Sequence, residues 1–179
     1  MSKSPDTSDW VELTGNALAV AEAVAFAASA AAGGIAVFLG TTRAETNSTG
    51  QALVALEYQA YDAMAASQLV DLAARARQRW PIEKLVLLHR TGRVAVGEPS
   101  VAIAASTPHR ADAFAACQWL IDTLKNELAV WKREIWADGS ASWVEPAAAE
   151  TPNPKHETQP TAEAAETPNP KHEIRNKSK

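Results

Sequence analysis

At 179 residues the chain has the length of one domain, and a hydrophobic content of 46% is enough for an ordinary core. A net charge of −4 gives no electrostatic case for nucleic acid or an anionic membrane as the main partner. The single cysteine, Cys117, excludes an internal disulfide and fits a reducing, cytoplasmic compartment.

Residues 1–10 are polar, carry Asp6 and Asp9, and are expected to be loose. They lack both the basic start of a secretory signal and the arginine-rich character of a transit peptide. The 20 uncharged residues between Glu22 and Arg43 have the length of a membrane span, but most are alanine and Gly33-Gly34 divides them. They read instead as an alanine-rich helix over 18–32, a glycine stop, and a buried strand over 35–39. A polar loop follows over 40–50, with Arg43 where the strand ends. Leu53, Val54, Leu56 and Tyr58 mark a strand over 52–58. A helix then opens at Tyr61 or Asp62 and runs to about Arg79, with Met64, Leu69, Leu72, Ala73, Ala76 and Trp80 inward. Arg75, Arg77 and Arg79 stand at steps of two, cannot share a face, and read as a solvated basic end stopped by Pro81. Short strands are expected over 84–89, 93–97 and 100–105, separated by turns such as Thr91-Gly92. His89 reads as a structural histidine with a hydrogen-bond partner at a strand end.

The next helix is expected to start with Ser106 or Thr107 as N-cap and Pro108 in the first helical position. Phe114, Cys117, Ile121, Leu124 and Leu128 recur at steps of three and four, one apolar face that places Cys117 in the core. His109 and Arg110 are unusual there, because a helix start is already positive, yet together they suit an anion such as a phosphate. Lys125 lies at the edge of the apolar face, where partial desolvation favours the neutral amine. Lys132 would lie on the same side about 10 Å further along if the helix continued. Lysines at a helix C-terminus are also ordinary complements of its dipole. Trp131, Trp136 and Trp143 then crowd a short basic segment, and Asp138-Gly139 marks a turn that would pair 133–136 with 142–145. Strands and helices mixed in this irregular order indicate an α+β fold with a largely antiparallel sheet.

Residues 146–179 are different material. ETPNPKHE occurs at Glu150 and again at Glu166, a duplication 16 residues apart in a stretch rich in Pro, Ala, Thr and Glu. With almost no apolar bulk this segment is expected to be a disordered tail, leaving 11–145 as the folded domain.

No nucleophile elbow, phosphate loop or dinucleotide fingerprint is present, and no metal-ligand spacing exists, so no cofactor is implied. What remains is a cationic set, Arg43, His109, Arg110, Lys125 and Lys132 with Arg133 adjacent, which suits an anionic substrate. FLGTTR, LEYQAYDAMA, LLHRTGRVAVGEPSV, the PHR that opens the helix, then LK, WKRE and DGSASWV stand in register over roughly residues 10–145. In these words the chain resembles the large, catalytic subunit of molybdopterin synthase. The resemblance implies an α/β-hammerhead-like fold and a sulfurtransferase that converts cyclic pyranopterin monophosphate to the dithiolene of molybdopterin. It implies a homodimer within a heterotetramer, with a small ubiquitin-like carrier subunit delivering sulfur as a C-terminal thiocarboxylate. On this reading Arg43, His109 and Arg110 bind the pterin and its phosphate, and Lys125 and Lys132 are catalytic. Three departures stand out. Ala129 occupies the place of a family proline, Gln59 and Ala63 replace a glutamate and a proline, and an arginine expected after Glu145 is missing. A non-catalytic scaffold that docks the carrier is the competing reading, and a generic phosphometabolite-binding domain a third.

Overall fold

The structure is a computed structural model and describes residues 8–144. Most of the segment expected to be loose, and the whole of the duplicated tail, lie outside the described residues. The elements are β1 (Asp9–Thr14), α1 (Val20–Phe26), β2 (Gly34–Thr41), β3 (Leu53–Ala60), α2 (Asp62–Arg79), β4 (Lys84–Arg90), β5 (Gly92–Ala95), β6 (Pro99–Thr107), α3 (Arg110–Glu127), β7 (Val130–Trp136) and β8 (Ala141–Trp143). They form two four-stranded sheets, ordered β1-β4-β6-β2 and β5-β3-β7-β8. Only β1–β4 is parallel; every other pairing is antiparallel, as the α+β expectation required.

The first sheet is covered on both faces, which explains why β4 and β6 read as nearly continuous apolar runs rather than alternating ones. Leu85, Leu87, Ile103 and Ala105 pack against Leu69, Leu72, Leu120 and Leu124 of α2 and α3. Val86, Leu88, Ala102 and Ala104 face the other way, toward Ala23 and Ala27 with Trp10 and Phe26. Each fully buried leucine in this arrangement contributes about 1.5–3 kcal/mol.

Several local expectations fail for identifiable reasons. Residues 9–14 are a strand: β1 pairs with β4 from Asp9↔Leu85 to Thr14↔Arg90, a contact between segments far apart in sequence that no local pattern announces. The alanine-rich helix ends at Phe26, not at Ala32. Ser29 competes with it, its hydroxyl accepting from Ala31 N–H and its carbonyl from Ala32 N–H, so a turn replaces the last helical residues. Met64 and Phe114 are exposed, at 49% and 66%. The buried stripe of α3 is Ala113, Ala116, Cys117, Leu120, Ile121 and Leu124, so small alanines mark the inner face where the larger Phe114 suggested a different phase. The three arginines of α2 are not a solvated end. Arg75 pairs with Asp71 and Glu127. Arg77 holds the Asp9 carboxylate and the carbonyls of Ser8 and Ile82, clipping β1 to the helix end. Arg79 lies 4.3 Å over the Trp119 ring. Being on different faces, they reach different partners.

Candidate active site

The α3 start is built by backbone contact. A Cβ on Gly33 would stand 2.3 Å from the Pro108 carbonyl oxygen, and one on Gly34 would stand 3.2 Å from Arg110 Cα. Gly33 N–H donates to Thr107 O at 3.0 Å, and Gly34 is paired with Thr107 across the sheet. The glycine pair, expected to stop a helix, therefore lets β2 pass against the turn that launches α3. The N-cap is His109, not Ser106 or Thr107. Those two are buried at the end of β6, where Ser106 Oγ accepts from Lys84 N–H at 3.0 Å and Thr107 Oγ donates to His109 O at 2.6 Å. Pro108 precedes the helix. Among the described residues no side chain caps α3, and His109 and Arg110 are both exposed at its positive end.

The lysines lie elsewhere. Lys125 occupies the last turn of α3, but the helix stops at Glu127, so Lys132 is on β7 and not two helical turns further along one axis. A two-residue elbow, Leu128-Ala129, separates the helix from the strand. Lys132 stands directly opposite Tyr58 of β3, so both side chains leave the second sheet on one face. The Tyr58 ring packs edge-on against His89, 5.3 Å between centroids. Both lysines are exposed, and neither makes an ion pair among the described residues. The desolvation expected for Lys125 is not supplied by its own chain.

Arg43 follows the far end of β2, where Thr42 N–H donates to Glu98 O beside the start of β6. Its side chain is 83% exposed and pairs with Glu45. Arg133, adjacent to the set in sequence, is taken up by a forked contact to Glu57, its direct partner across β3 and β7. His89 is 4% exposed, and no hydrogen-bond partner reaches its Nδ1. Burial pulls its imidazole down to about 4, against the smaller opposing effect of a hydrogen bond with the Arg90 backbone, so it is a neutral core residue. Burial likewise pushes the Cys117 thiol up to about 11, an unreactive cysteine as expected from its position.

The cations thus fall into two groups. His109 and Arg110 open α3. Lys125 lies fifteen residues later on the same straight element, about 22 Å along the axis from Arg110. Arg43 lies just past the end of β2 beside the start of β6, and Lys132 lies on β7 opposite Tyr58, whose ring meets His89 of β4. One chain does not bring all five onto one small ligand.

Sequence reasoning missed what holds the lysine-bearing elbow. Gln68 of α2 donates from Nε2 to Glu127 O at 3.0 Å and accepts at Oε1 from Ala129 N–H at 2.8 Å. A polar residue on a helix surface carries no sequence signal of such a role. The Gly33-Gly34 pair did carry one, read for the wrong purpose.

Comparison with known proteins agrees with the architecture. The family model described as MoaE protein matches residues 13–127. The molybdopterin synthase catalytic subunit of Nostoc sp. is 42% identical, over 82% of this chain and 88% of its own length. The subunit of the same name from Bos taurus is 38% identical, over 76% of this chain and 71% of its own. Among solved structures, molybdopterin synthase from Staphylococcus aureus superposes with a TM-score of 0.69 at 30% identity, covering 75% of this chain and 96% of that one. A MoaE protein from Burkholderia ambifaria gives 0.61 at 32% identity, covering 75% and 87%. With its sequence words, its two-sheet architecture and these matches in agreement, the chain belongs to the MoaE protein family.

Proposed function

We propose that this chain is the catalytic subunit of a molybdopterin synthase, acting in molybdenum cofactor biosynthesis as a cytoplasmic sulfurtransferase. Its substrate is cyclic pyranopterin monophosphate, and sulfur arrives as the thiocarboxylate of a small ubiquitin-like carrier subunit. The observation that carries the reading is the pair of exposed cationic groups, without ion pairs among the described residues: His109-Arg110 on the α3 start, and Lys125 with Lys132 flanking one elbow. The first group suits the phosphate, through a charge-assisted fork from Arg110 and the open helix end. The second suits the thiocarboxylate. The carrier sulfur is the nucleophile: it forms the new carbon–sulfur bond to the pyranopterin as the carbon–oxygen bond at that carbon breaks and the departing oxygen takes up a proton, and a second carrier repeats the step to complete the dithiolene. The acyl–sulfur bond then breaks by attack of water or of the Lys125 amine, which would hold an acyl intermediate that water later hydrolyses. The carrier's C-terminal carboxylate is thereby returned. Lys132 stabilises the anion or gives the proton. A sulfur nucleophile brought from outside leaves Cys117 free to be a core residue.

Separation of the two groups along α3 implies two copies of the chain, with His109 and Arg110 of one serving the Lys125 and Lys132 of the other. Arg43 adds a further anion contact on the lysine side. The place of the arginine expected after Glu145 is taken by Pro146-Ala147 and lies outside the described residues. The test is single-turnover conversion of the pyranopterin to the dithiolene with preloaded carrier. Lys125→Ala should slow it about a hundredfold or more, and Lys125→Arg nearly as much, since guanidinium does not exchange a proton at working pH. A chain that binds carrier tightly and forms no dithiolene would instead be a docking scaffold.

A further inference from the structure

We infer that Gln68 is a positioning residue for the lysine pair, an inference that rests on the reading of Lys125 and Lys132 as catalytic. The two lysines belong to different elements, and their relation is fixed by the torsions of Leu128 and Ala129. Every backbone polar group of that elbow has a partner. Leu128 N–H donates to Leu124 O at 3.0 Å, Leu128 O accepts from Val130 N–H at 2.7 Å, and Ala129 O accepts from Tyr61 N–H at 3.2 Å. The remaining one, Ala129 N–H, and the Glu127 carbonyl that ends the helix are both met by the one amide of Gln68. An amide is the side chain for this task, because it donates and accepts from two atoms of a single planar group. Glu127 is held from a second side by Arg75, whose Nη1 and Nη2 reach its two carboxylate oxygens at 3.3 and 2.5 Å. Tyr61, Gln68 and Arg75 belong to α2 or its start, so this helix grips the elbow along its length.

Ala129 gives the clamp its meaning. A proline in this place would fix the chain by its ring and have no N–H to donate. Here the N–H is present and Gln68 accepts from it, so a hydrogen bond does the work of a ring. Leu128 already has φ −70° and ψ 128°, the extended conformation that a residue before proline requires.

The experiment measures single-turnover dithiolene formation with thiocarboxylated carrier, beside carrier affinity, melting temperature and hydrogen exchange at Ala129. Gln68→Ala should lower the rate of the chemical step about tenfold or more, as a small misplacement of reacting groups does, with carrier affinity and melting temperature little changed. Ala129 N–H should lose its protection. Gln68→Glu, which still accepts from Ala129 but cannot donate to Glu127 O, should fall between. Adding Ala129→Pro to Gln68→Ala should restore most of the rate, since the ring replaces the lost bond; a residue needed only for folding would show no such rescue of the chemical step. Wild-type turnover in Gln68→Ala, while Lys125→Ala and Lys132→Ala are inactive, overturns the positioning role. Full turnover in both lysine variants overturns the lysine reading itself and the positioning role with it, whatever Ala129 exchange shows.

Discussion

Two defective chains should repair each other. Arg110→Ala removes the cation at the α3 start, and Lys125→Ala removes the amine in its last turn. The fifteen helical steps from one to the other place the two positions about 22 Å apart. A small-ligand pocket of about 300–1,000 Å³ is only about 8–12 Å across, so one pocket cannot hold both from one chain. If each site takes Arg110 from one protomer and Lys125 from its partner, a dimer of one chain of each kind has one complete site and one doubly defective site. Random assembly makes about half of the dimers mixed, so the preparation should recover about a quarter of wild-type turnover. Each parent alone should be far lower. Losing a charge-assisted contact worth about 1.5–3 kcal/mol costs Arg110→Ala roughly ten- to 150-fold, and Lys125→Ala loses about a hundredfold or more. The assay is dithiolene formation by co-expressed, differently tagged chains, with the mixed dimer isolated through both tags. Activity of the mixed dimer no higher than the mean of the two parents refutes the shared site.

Gly33→Ala drives a Cβ to 2.3 Å from a backbone oxygen that cannot swing aside, so a loss of about 1–3 kcal/mol and weaker substrate binding are expected. Gly15→Ala, with nothing within 4 Å, is the neutral control, and equal urea midpoints for the two variants would contradict this. For His89, burial places the folded pKa at about 4 against 6.5 for the free group, so between those values the unfolded chain binds a proton that the folded chain does not. This stabilisation is fully present above pH 6.5 and declines as pH falls toward 4, by up to about 3 kcal/mol in all. Glu98, held low by the Ala95 N–H and then by Arg90, and Glu127, held low by Arg75, act in the same direction only below the ordinary carboxylate range, so denaturation should be compared between pH 7 and pH 5. A flat profile there, or an equal slope in His89→Gln, would count against the buried neutral imidazole.

Much of the framework was legible because its signals are local. α2 begins at Asp62 and ends at Arg79 as periodicity and Pro81 indicate, and the β7–β8 hairpin turns at Asp138-Gly139. Legibility fails where a distant partner decides. β1 exists because β4 lies beside it, and the arginines of α2 are paired because Asp9, Glu127 and Trp119 come to them. The candidate site residues were nameable from motif words, but the elbow hid that Lys132 stands on a strand and not on the helix of Lys125. Nothing in the run from Lys125 to Lys132 announces that helix becomes strand. A proline would have marked the break, and here alanine with a remote glutamine replaces it.

The parallel pairing of β1 also sets an order of events during synthesis. Asp9 meets Leu85, so β1 leaves the ribosome 76 residues before the strand it joins. At about 5–20 residues per second that is a wait of roughly 4–15 seconds, longer than most small domains take to fold. For that interval Trp10, Val11 and Leu13 have no sheet to enter, while Asp9 and Glu12 alternate charge among them and discourage premature pairing. When α2 has emerged, Arg77 can take hold of Asp9, so the first strand made is tied to a helix before its partner strand β4 has been made.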